Sequence, residues 1–123
     1  MSAAVWVVAV LACGAGAVVR YLIAHRAPLL RFPWTTVVAN ALGSAVLGAV
    51  AAALEAGAPA SAGIIVGAGF AGGLSTFSTL AVDAVILLNE RRPRDAWGYL
   101  AATAAVGLGS ALLGFLAWSW IAG

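Results

Sequence analysis

The stretch Gly67-Ala68-Gly69-Phe70-Ala71-Gly72-Gly73-Leu74-Ser75-Thr76-Phe77-Ser78-Thr79-Leu80-Ala81-Val82-Asp83 decides how this chain folds. It lies inside an apolar run from Gly63 to Leu88 that is long enough to cross a bilayer. Its centre is unlike an ordinary spanning helix. Gly72 and Gly73 weaken helical backbone, and Ser75, Thr76, Ser78 and Thr79 follow at once. Broken backbone survives at membrane depth only where protein, water or ions satisfy the freed carbonyls and amides. Two readings follow: a helix broken around an ion or pore site, or a helix that packs closely through small residues while its hydroxyls bond their own backbone.

The rest of the chain sets the environment. Of 123 residues 64% are hydrophobic and 8% charged, with mean hydropathy +1.09, too few charges to solvate a water-soluble domain of this size. The chain is therefore read as an all-α membrane protein forming one domain, residues 1–123. Four spans are expected, at about 3–23, 32–54, 63–88 and 96–121. A soluble catalytic domain has no room. Enzymatic chemistry also lacks a paired carboxylate or a Cys/His set, since there is one histidine, His25, and one cysteine, Cys13. A nucleic-acid partner has no basic face to bind. The first apolar run has no basic segment before it and is read as a retained span rather than a cleaved signal.

Within the spans, polar residues recur at helical spacing. Thr36, Asn40 and Ser44 share one face of the second span, and Tyr99, Thr103 and Gly107 one face of the fourth. Asn40 is the most informative, because its amide offers donors to an anion. Tyr99 is read either as part of this polar track or, with Trp97, as part of an interfacial aromatic belt. Asp83 is read as reaching the interface or pairing with an arginine, and Arg20 as snorkelling or functional. Pro28 and Arg31 fall in the first loop with His25 and Arg26.

Charge placement gives topology. Four spans put both termini on one side and loops 1 and 3 on the other. All six arginines, Arg20, Arg26, Arg31, Arg91, Arg92 and Arg94, lie on the loop 1 and loop 3 side, and there is no lysine. The positive-inside rule then predicts cytoplasmic loops 1 and 3 with both termini outside, in the inner (plasma) membrane.

These motifs resemble those of the fluoride channels called Fluc or CrcB. Gly14-Ala15-Gly16-Ala17-Val18-Val19-Arg20-Tyr21 is similar to the family's glycine-rich first-span motif, and Thr36-Val37-Val38-Ala39-Asn40 to its second-span motif. Gly69 to Thr79 is similar to the third-span signature. The resemblance implies passive, selective export of fluoride through an antiparallel dimer with two narrow pores. It implies a structural sodium ion, Na+, held by backbone carbonyls of Gly72 and Ser75. It implies a fluoride pathway with Asn40 as donor, the ring edge of Phe77, and Thr36, Ser78, Tyr99 and Thr103 along a polar track. Arg20 would make a vestibule attractive to anions. Leu80 departs from the family, which usually has a second phenylalanine there, and Gly107 falls where the track can carry serine. The one-sided arginines further predict a single fixed orientation, so that the dimer partner is an oppositely oriented homologue. The rival readings are a small multidrug-type exporter, which needs a membrane carboxylate that span 1 lacks, and a non-transporting membrane assembly protein.

Overall fold

A computed structural model describes residues 1–26 and 32–123; the assignment of Pro28 and Arg31 to the first loop lies outside the described residues. All regular secondary structure among the described residues is helical. Helix α1 is Ala3–Arg26 and α2 is Trp34–Glu55. Helix α3 covers residues 60–74, α4 is Ser78–Asn89 and α5 is Pro93–Ala122. Four segments are long and apolar enough to cross a membrane: α1, α2, α3 with α4 (Ala60–Asn89), and α5.

Local chemistry explains the boundaries. Pro33 and Pro59 immediately precede α2 and α3, and Pro93 opens α5, where a missing amide hydrogen costs nothing. Gly57, at φ +96°, ends α2: its amide bonds the Leu54 carbonyl and the Ala58 amide reaches the Ala53 carbonyl at 2.9 Å. The same closure ends α4. There the left-handed residue is Arg91, at φ 57°, with Arg92 N bonded to Leu87 O at 2.9 Å. Arg92 then pairs with Glu90 and, at 2.8 Å, with Asp95 in the first turn of α5.

The third span is not a uniform helix. From Gly63 to Ala71 its turns are wide, π-helical ones, a rare geometry concentrated at functional sites. Gly72–Leu74 is α-helical, so the glycine pair does not itself form the break. The break comes immediately after, where Ser75 turns extended at φ −80° and ψ 158°. Helix resumes at Ser78.

Backbone-to-backbone seams hold the bundle. A Cβ on Gly73 would strike the Cys13 carbonyl, and one on Gly69 would lie 2.8 Å from the Ala9 carbonyl, so α3 lies directly on α1. Gly16 of α1 likewise leaves room for the Phe70 carbonyl and the Leu74 amide. Between α2 and α5, Gly48 faces the Ala111 carbonyl and Gly114 the Ala45 carbonyl. Small residues let dispersion and backbone dipoles bind helices where lipid gives no hydrophobic drive. At the end of α4, Val37, Ala84, Leu87, Ala96 and Tyr99 form a buried cluster, with Phe32 and Leu80 against it. Valines and leucines of α1 and α5, such as Val10, Leu11, Leu108 and Leu113, face outward, as lipid contact requires.

Candidate functional site

The break at Ser75-Thr76-Phe77 is held by a side chain from another span. Asn40 Oδ1 accepts a hydrogen bond from the Thr76 amide at 2.6 Å, and Asn40 Nδ2 donates to the Thr76 carbonyl at 3.1 Å. Asn40 and Thr76 are both buried. This two-way clasp replaces the helical partners that Thr76 loses by leaving the helix. It uses one of the two Nδ2 hydrogens, so the amide keeps a second donor.

Thr76 is also a hub, which the sequence reading passed over. Its Oγ1 accepts from the Thr79 amide at 3.2 Å, capping the start of α4, and donates toward Thr79 Oγ1 at 3.1 Å, with Ser78 Oγ at 3.4 Å. A threonine three residues before a second hydroxyl, at the head of an apolar run, was the signal available for it. Ser75 is simpler: its hydroxyl folds back on the Ala71 carbonyl at 2.9 Å. The carbonyls of Gly72 and Ser75 accept no hydrogen bond from the described residues.

Asp83 neither reaches an arginine among the described residues nor stands alone. Its Oδ2 accepts from Thr36 Oγ1 at 3.1 Å and from the Tyr99 hydroxyl at 2.9 Å. Three spans are thereby tied at one atom. Tyr99 is wholly buried, with Phe32 edge-on to its ring, so it belongs to the interior and not to an interfacial belt. Thr103, one turn beyond Tyr99, has a buried Oγ1 without a hydrogen-bond partner among the described residues.

Two clefts flank the clasp. One, of about 280 Å³, is lined by Arg20, Tyr21, Thr36, Thr76 and Thr79 among others. Arg20 makes no ion pair with the described residues, so its cationic head is available to an anion in that cleft. The other, of about 430 Å³, lies against Gly43, Ser44, Gly72 and Ser75. Thus Arg20, Thr36, Asn40, Thr76, Ser75 and Gly72 gather around the break. Phe77 and Ser78 do not turn into the bundle: Phe77 is 80% exposed and Ser78 is exposed beside it. Leu80 faces the interior cluster instead.

Comparison with known proteins is consistent over nearly the whole chain. Residues 7–115 match the family model described as CrcB-like protein, Camphor Resistance (CrcB). The chain is 39% identical to the fluoride-specific ion channel FluC 1 of Thermobifida fusca, over 85% of this chain and 88% of that protein. It is 41% identical to FluC 1 of Geobacillus kaustophilus over 81% of this chain and 85% of that one. FluC 2 of Mycobacterium tuberculosis strain H37Rv is 32% identical over 99% of this chain and 94% of its own length.

Proposed function

This chain belongs to the CrcB-like family, and from that premise we infer that it is a fluoride-specific ion channel, a passive multi-pass membrane protein and not an enzyme. Fluoride export from the cytoplasm lowers its toxicity. The observation that carries the reading is the clasped break: irregular backbone at membrane depth, braced by Asn40 and bordered by hydroxyls, between two clefts. Fluoride is small and strongly hydrated, so a pore must replace its water with donors. Arg20 attracts the ion into the first cleft, and the spare Nδ2 hydrogen of Asn40 receives it. Thr36, Ser78, Tyr99 and Thr103 continue the path. The Thr36 and Tyr99 hydroxyls rest on Asp83 until an anion competes for them, whereas the unpartnered Thr103 hydroxyl is ready.

The working unit is an antiparallel dimer. Phe77, Ser78, Thr79 and Gly72 are exposed at the break, where lipid tails cannot satisfy hydroxyls or carbonyls. A second, inverted chain brings its own break to the same depth and covers them. Phe77 then enters the partner's half, offering its ring edge to the ion. The Gly72 and Ser75 carbonyls, free of hydrogen bonds from the described residues, fit a hard cation such as Na+. A sodium there would offset the carbonyl dipoles facing each other across the dimer. Loops 1 and 3 are cytoplasmic, in the plasma membrane, and the partner is an oppositely oriented homologue.

The test is efflux from liposomes loaded with fluoride and reconstituted with this chain, with and without an inverted homologue. Fluoride is expected to leave and chloride to stay. Equal passage of both ions, or of neither in any pairing, would refute the channel. Export of organic cations is not favoured, because the one carboxylate within a span, Asp83, is engaged by two hydroxyls.

A further inference from the structure

Helices α2 and α5 run side by side in a constant register, and their polar rungs differ in what they have left to offer. Thr36 and Tyr99 form the first rung, and both donate to Asp83. One turn on stands Asn40, at the level of Thr103 with its buried, unpartnered Oγ1. One further turn brings Ser44 opposite Gly107, where a Cβ built on the glycine would lie 3.5 Å from Ser44 Oγ. At the next turn the column closes, because Gly48 meets the Ala111 carbonyl with no room for a methyl group.

Ser44, like Ser61 and Ser110, makes no side-chain hydrogen bond among the described residues. A serine in a membrane helix commonly bonds the carbonyl four residues back. Ser75 does so to Ala71 and Ser119 to Phe115, each at 2.9 Å. Ser44 Oγ bonds no group among the described residues, and it borders the 430 Å³ cleft with Gly43, Gly72 and Ser75. Ser44 carries the last hydroxyl of α2 before the column closes at Gly48.

We propose that Ser44 Oγ is a further fluoride-binding group, one turn beyond Asn40 on the polar face of α2. The proposal rests on the channel reading above. A donor at this point substitutes for water on the ion, and it need not come from a particular helix. The 3.5 Å clearance at Gly107 is ordinary van der Waals contact, so a serine there fits without moving α2. Its hydroxyl would stand beside that of Ser44.

The experiment compares fluoride efflux from liposomes holding the conducting assembly, with the substitutions placed in this chain. Ser44→Ala is expected to lower flux about tenfold, the effect of one hydrogen bond to a charged group. Gly107→Ser alone should stay close to wild type. The double variant S44A/G107S should recover to within about twofold of wild type, since the hydroxyl has only changed helices. Wild-type flux in S44A, or a double variant as slow as S44A despite normal assembly on gel filtration, overturns the proposal. Should S44A fail to assemble, Ser44→Thr decides: hydroxyl retention predicts near-normal flux, and an assembled but slow S44T counts against it. A wild-type assembly that passes no fluoride removes the channel reading itself, whereas normal wild-type flux with an unaltered S44A removes only the role of Ser44.

Discussion

On the channel reading, Asn40 divides one amide between two tasks. Sequence spacing placed it on the polar face of α2 and suggested an anion donor, but nothing in the spacing revealed that it also holds Thr76 from both sides. That pairing joins residues far apart in the chain, and a backbone partner carries no sequence signal. Asn40→Ala leaves the Thr76 amide and carbonyl buried and unpaired, at about 1–3 kcal/mol for each group. It should therefore lower both fluoride efflux and the unfolding temperature in detergent; a variant that loses flux with unchanged stability would mean the clasp is not formed. Asp83 was legible only as a rare carboxylate in a span. Its acceptance of both Thr36 and Tyr99 predicts coupling: in a cycle of Tyr99→Phe and Asp83→Asn, the two stability losses should fall short of additive by about 1 kcal/mol. Reversible unfolding in mixed micelles measures this, and strict additivity would show that the hydroxyl and carboxylate act independently.

At the scale of elements, the four spans and the interrupted third one were readable from hydropathy and from the glycine–hydroxyl cluster. The position of the interruption was less so. Gly72 and Gly73 remain helical, and Gly73 serves as a seam: the Cys13 carbonyl of α1 sits where a Gly73 side chain would be. Glycine content alone cannot distinguish a seam from a hinge. Gly73→Ala and Gly48→Ala should each destabilise by about 1–3 kcal/mol, because backbone lies in the way and only helix separation relieves it. Gly109→Ala, with open space around it, should be neutral or gain up to about 1 kcal/mol from helix propensity. Thermal melts of the three variants test the distinction. The α4 terminus supplies a converse case: Arg91 holds a left-handed conformation that glycine adopts freely, so Arg91→Gly should gain about 1 kcal/mol in the same assay.

At the scale of the whole molecule, charge and exposure supply separate arguments. The arginines lie at the loop 1 and loop 3 ends, while loop 2 at the other end carries only Glu55. A chain that inserted both ways would need a near-balanced distribution. Reporters fused to the C-terminus should therefore give signal from the external side alone; equal signal from both sides would return the partner to a second copy of this chain. The four apolar spans were legible because span count follows hydropathy. Which side chains the break turns outward was not, because helical periodicity is lost at the break itself.

Phe77 stands 80% exposed beside the exposed Ser78 and Thr79. On the dimer reading proposed above, an orphan chain newly released into the bilayer displays features by which membrane quality control distinguishes unfinished proteins from finished ones, and its abundance should rise with co-expression of its mate.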